Sequence, residues 1–158
     1  MILIKCGANN LATLLILQIV SCAMMTGLIW AIQILHYPAF RYVDEKQFEK
    51  FHLFHTKKIT WIVLPLMTVE LVTGILLVLF FPDQQFWINF FAILMIWART
   101  FFLSVPMHHL LEKGRNERAI DRLVLTNWFR TILWSARLCL LVVVLMKNFE
   151  VGNGNFGA

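Results

Sequence analysis

The sequence predicts an all-α fold: an integral membrane four-helix bundle with a short interfacial helix between the first two spanning helices. Three observations carry that prediction. Hydrophobic residues make up 59% of the 158 residues, and mean hydropathy is +0.72, too apolar for a soluble core of this size. The apolar residues fall in four runs, 11–35, 59–81, 86–105 and 124–146. Each run approaches or exceeds the roughly 20 residues a helix needs to cross a hydrocarbon core of about 30 Å. The positive residues, finally, gather in two of the short segments between runs. In lipid a single segment satisfies its own backbone N–H and C=O groups only as a helix, so each run is read as one.

The first run holds Ala23, Gly27 and Ala31 at a spacing of four, which predicts a seam of small residues for close helix approach or self-association. Its string Ile19-Val20-Ser21-Cys22 imitates a lipoprotein processing site. Apolar sequence continues to Leu35, however, too long for a signal-peptide core, so an uncleaved helix is expected. In the first loop Asp44 followed by Gln47 resembles a capping box and predicts a short helix over 45–57. On it Phe48, Phe51, His52 and His55 share one face, leaving Lys46 and Lys50 to water or headgroups. The connection at 82–85 forces the second and third helices to be antiparallel neighbours. No repeat or linker divides the chain, so one domain over 1–158 is expected. Trp61, Trp87 and Trp128 suit the aromatic belts, whereas Trp30, Trp97 and Trp134 lie deeper and need partners for their indole N–H groups.

Net charge is +5, but its distribution is that of a topology signal rather than a nucleic-acid surface. Arg41, Lys46, Lys50, Lys57 and Lys58 lie between the first two runs, and Lys113, Arg115, Arg118 and Arg122 between the last two. The positive-inside rule places both basic loops in the cytoplasm and both termini in the periplasm of a bacterial inner membrane. Cys6, Cys22 and Cys139 show no paired spacing that would suggest zinc or a disulfide framework. Walker, Rossmann, Gly-x-Ser-x-Gly and HExxH signatures are missing too.

Charged residues interrupt the apolar runs: Glu70, Arg99, Arg130 and Arg137. Ionisable groups at such depth are site candidates by default. Glu70 lies about 12 residues beyond Lys58, or roughly 18 Å, which is the midplane. Insertion of one charge there costs about 2.5–3.5 kcal/mol, so pairing of Glu70 with Arg99 or Arg137 is expected. Asn127, Arg130, Thr131, Trp134 and Arg137 project within a third of the fourth helix's circumference, a stripe that must face protein, water or ligand.

His36, His52, His55, His108 and His109 all fall near the same membrane face. Imidazole ligates iron, copper and haem, so two expectations follow. Haem would use His36 and His108; a metal would use His36, His52, His55, His108 and Glu49. The last belongs to a Glu-x-x-His pair with His52, the unit of bundle di-iron sites, whose second copy is missing here.

Val105-Pro106-Met107-His108-His109-Leu110-Leu111, then Asn127-Trp128-Phe129-Arg130-Thr131 and Trp134-Ser135-Ala136-Arg137, resemble an uncharacterised bacterial four-helix membrane protein family. They are also distantly similar to the anthrone-oxygenase-like family. Gln33, His36 and Tyr37 add to the first resemblance, which spans most of the chain. Similarity to anthrone oxygenases implies oxygen or quinone chemistry on an aromatic substrate. Gly27, His36 and Tyr37 resemble the haem-containing protoporphyrinogen oxidase family, without the arginine-rich stretch that precedes its haem-binding histidine.

The functional expectation is a metal- or haem-dependent membrane oxidoreductase acting on a lipophilic quinone-like or aromatic molecule. Glu70, Arg99, Arg130 and Arg137 would be its catalytic group, the arginines stabilising charge on a substrate oxygen. Two alternatives share the same residues: a non-catalytic membrane subunit or assembly factor, in a homo-oligomer or larger complex, and a small anion or proton transporter.

Overall fold

A computed structural model describes the backbone of residues 2–154 and the side chains of residues 10–148; the side chains of Lys5 and Cys6 fall outside them. The fold is the all-α bundle the sequence predicts. Helix α1 (Ile2–Ala31) continues through a π-helical turn (Ile32–His36) into a short α2 (Tyr37–Ala39) and a 3-10 turn (Phe40–Tyr42). Next comes α3 (Glu45–Phe80), then α4 (Gln84–Arg99), a second π-helical turn (Thr100–Ser104) and α5 (Val105–Leu111). The last helix, α6, is Glu117–Gly154. Four of the resulting rods are long and apolar enough to cross a membrane. By these features the chain is a multi-pass membrane protein.

The short helix expected over 45–57 is helical, and it runs without a break into the second spanning segment. Asp44 caps it, its carboxylate accepting from the Lys46 backbone N–H at 2.9 Å. At 36 residues, α3 is roughly 54 Å long, far more than a hydrocarbon core, so one end stands in the interface. That end carries His52 and His55. The basic loops meet at the same end, because Arg41 pairs with Asp121 at 2.6 Å and Arg115 donates to the Val43 carbonyl at 3.1 Å. Gly114, at φ +127°, lets the chain turn between α5 and α6.

In cross-section the rods form a square, α1 packing on α3 and α6, and α4 packing on α3 and α6. Leu15, Cys22, Met25 and Ile29 are the buried face of α1. The seam of Ala23, Gly27 and Ala31 lies elsewhere: all three are exposed, and a methyl group added at Gly27 would meet nothing within 4 Å. The seam therefore does not pack this chain's own helices. Close approach occurs at Gly74 instead, where an added Cβ would come within 2.7 Å of Ile93 Cδ1 on α4.

Across the diagonal of the square, Arg137 of α6 donates to Glu70 of α3 at 3.0 Å, and both side chains are almost completely buried. Asn89 of α4 accepts from Arg137 Nε at 3.0 Å, and the Trp134 indole donates to Glu70 at 3.1 Å. Next to this pair, Thr73 donates to Gln18 of α1. One polar layer thus touches every rod. Replacing Glu70 by Leu leaves Arg137 unpaired and is expected to cost about 3–5 kcal/mol in reversible unfolding from mixed micelles. The double substitution Glu70→Leu/Arg137→Leu should recover more than half of that loss, a coupling that a double-mutant cycle measures.

Candidate functional site

Both π-helical turns lie just before prolines, Pro38 and Pro106. A proline ring presses on the carbonyl four residues back and offers no N–H, so a widened turn upstream relieves the strain. In each turn a backbone N–H reaches five residues back, Tyr37 to Ile32 and Val105 to Thr100. The widened turns displace the following residues around the helix and set Tyr37, Ser104 and His108 against α3 and α6.

His108 stands at the centre of the arrangement. Its Nδ1 lies 3.0 Å from His52 Nε2, and its Nε2 lies 3.2 Å from the Tyr37 hydroxyl. Arg130 donates to Ser104 Oγ at 2.9 Å and lines the same cavity as Tyr37. Tyr37, His108 and His52 form one hydrogen-bonded chain. A neutral imidazole carries one donor and one acceptor nitrogen, so the two histidines can exchange roles by shifting a proton along their hydrogen bond. Phe40, fully buried, packs against His36, His52 and His55 at ring-centroid distances of 5.3, 5.7 and 5.5 Å. It holds the imidazoles apart from water.

A cavity of about 280 Å³ opens beside the chain. His55, His108, Tyr37, Arg130, Ser104 and Glu112 are among its polar residues, and Ile59, Val63, Met67, Trp97 and Phe101 among its apolar ones. Along α3 the lining runs from His55 to Met67, roughly 18 Å from the interface toward the midplane. Leu64 and Phe101 also line it and are 50% and 54% exposed, so its side faces lipid between α3 and α4. The shape is that of a slot for an amphiphile: apolar body inward, polar head against the histidines.

Several sequence-predicted residues are brought together here, and several are not. His52 and His55 are buried, and the stripe of Asn127, Arg130, Thr131, Trp134 and Arg137 is buried throughout. Arg130 does not extend to the headgroups but turns inward to Ser104. Of the two partners expected for Glu70, Arg137 is the one that binds it. Arg99 stacks on the Phe129 ring at 4.6 Å and is not among the residues lining the cavity.

The residues of the expected metal set are not gathered as one group. Glu49 is exposed while His52 is buried, so the Glu-x-x-His pair does not face inward as a unit. Among the described residues no group of three or more His, Cys, Asp or Glu side chains is placed to hold a metal ion. Both ring nitrogens of His108 are already engaged. Of the two residues expected for haem, His108 lines the first cavity and His36 a different one of about 220 Å³ with Leu28 and Leu35; His55 borders both. His109 is exposed and pairs with Glu112 at 3.1 Å.

Tyr37, Phe40 and Ser104 are site residues that reading the sequence for charge and metal ligands passes over. The prolines downstream of Tyr37 and Ser104 were the available signal. Comparison with family models, with curated proteins and with solved structures gives no match.

Ser104→Ala removes the acceptor of a buried guanidinium, so it is expected to lower unfolding stability by about 1.5–3 kcal/mol. Thr100→Val, which removes only a hydroxyl bonded back to its own helix at Ile96, should stay within about 1 kcal/mol. Parallel denaturation in mixed micelles compares the two.

Proposed function

We propose that this protein is part of a membrane oxidoreductase that binds a lipophilic quinone-like or aromatic molecule and exchanges protons with it. The observation that carries this reading is the cavity itself. Its apolar length matches a molecule dissolved in the bilayer, and its polar end presents a hydroxyl and imidazole already linked in a hydrogen-bonded chain. Reduction of a quinone takes up two electrons and two protons. The Tyr37 hydroxyl is the group that would deliver a proton to a ring oxygen, His108 the one that would replenish it, and His52 the next in the relay. The electrons would come from a redox partner in the same membrane. The outward seam of Ala23, Gly27 and Ala31 is the surface we assign to a partner helix in that assembly.

The distribution of basic residues supports an orientation with both basic loops in the cytoplasm of a bacterial inner membrane and both termini in the periplasm.

A short-chain naphthoquinone titrated into the protein in nanodiscs should bind saturably and quench tryptophan emission. The quench should shrink in Trp97→Phe, because that indole lines the slot. Tyr37→Phe is expected to weaken binding roughly tenfold by calorimetry, the value of one to two hydrogen bonds. Absence of saturable binding by the unsubstituted protein would remove the proposal. For orientation, Glu49→Cys in intact cells should resist a membrane-impermeant maleimide and react once the inner membrane is opened.

A further inference from the structure

The three intramembrane arginines differ in what balances them. Arg137 has the Glu70 carboxylate, and Arg99, partly exposed, lies over an aromatic face. Arg130 is 6% exposed, and its partners are neutral: the Ser104 hydroxyl and the face of Trp134, 5.3 Å from its guanidinium carbon. Its Nε has no hydrogen-bond partner. Among the described residues none of the carboxylates forms an ion pair with it. A guanidinium stays protonated in proteins, and a buried charge without a counter-charge is strongly unfavourable.

The same cavity shows a second imbalance. Trp97 lines it, and its indole N–H is also buried without a partner. Arginine and indole nitrogens only donate. What these two side chains lack is acceptor atoms, and what Arg130 additionally lacks is negative charge.

We infer that the molecule bound in this cavity carries an ionised acid group beside its apolar body, and that Arg130 is the residue that recognises it. This rests on the cavity being a ligand site, as proposed above, and specifies the class of ligand: a lipophilic acid such as a carboxylate-bearing or acidic hydroxylated quinone or aromatic. A planar carboxylate would engage the guanidinium through two oxygens, the geometry that makes such pairs strong. The one carboxylate of the lining, Glu112, pairs with His109 at 3.1 Å and not with Arg130. The lateral opening and the apolar length distinguish this slot from a site for a small free anion.

The test uses a carboxylate-bearing naphthoquinone and its methyl ester as probes, with inorganic phosphate as competitor, on the full chain in nanodiscs. The acid should bind at least roughly tenfold more tightly than the ester. Arg130→Gln should bring that ratio close to one, whereas Arg130→Lys, which keeps the charge, should retain a preference for the acid. Arg99→Gln, outside the cavity, should leave the ratio unchanged. Equal binding of acid and ester by the unsubstituted protein overturns the inference while the ligand site stands; failure of both probes to bind overturns the ligand site as well. Displacement of the acid by phosphate at comparable concentration would show a free-anion site and overturn the inference. So would loss of the ratio in Arg99→Gln, which would mean that the charge of the whole bundle, not Arg130, selects the acid. Should Arg130→Gln fail to fold, the ratio in the unsubstituted protein and in Arg99→Gln decides without it.

Discussion

The buried pair of Glu70 and Arg137 is the contact on which the arrangement of this bundle depends. Hydrocarbon offers neither group water, so the helices carrying them must be registered in depth and in rotation until the two meet. Their meeting crosses the diagonal of the square and draws in Asn89 from α4. It also fixes the cavity. Trp134 donates to Glu70 with its indole nitrogen and offers its ring face to Arg130. The position of the cation in the slot is therefore set by a carboxylate one layer deeper, and Met67, one turn from Glu70, is part of the lining.

A second constraint acts at the level of the histidines. Two prolines, on rods that begin at the same face of the membrane and end together at the basic loops, each follow a π-helical turn, and these segments supply Tyr37, Ser104 and His108 to one site. A regular α-helix through either segment would rotate every later residue by a fraction of a turn. His108 could not then lie between His52 and Tyr37. Local backbone strain at the prolines is converted into the alignment of a hydrogen-bonded chain drawn from three separate parts of the sequence.

Much of this was legible in the residues alone, for a physical reason. Hydropathy fixes where a helix crosses, and the 100° step fixes which side chains share a face, so the spanning segments and the buried stripe of α6 followed from the sequence. Depth likewise identified Glu70 and Arg137 as partners, though not over Arg99, because both arginines lie deep enough and only packing decides between them. Periodicity assumes an ideal helix, and it failed where the helix widens: Tyr37 and Ser104 were passed over. Glu49 misled for a related reason. Spacing of three residues puts it near His52 on the helix surface, but the face buried against α5 runs through Phe48, His52 and His55 and excludes it.

The contrast between the two buried arginines of α6 is the more instructive result. They lie seven residues apart on one face, two turns of the same helix, and both are almost wholly buried. The deeper one is neutralised within the chain. The shallower one has only a hydroxyl and a ring, in a cavity whose one lining carboxylate, Glu112, pairs with His109 instead. Burial of such a cation is tolerated because Glu70 and Arg137 hold the surrounding helices together independently of it. That separation leaves the arginine next to the cavity free of a permanent partner: one charge pair assembles the bundle, and a second, half complete, is left for whatever enters from the lipid.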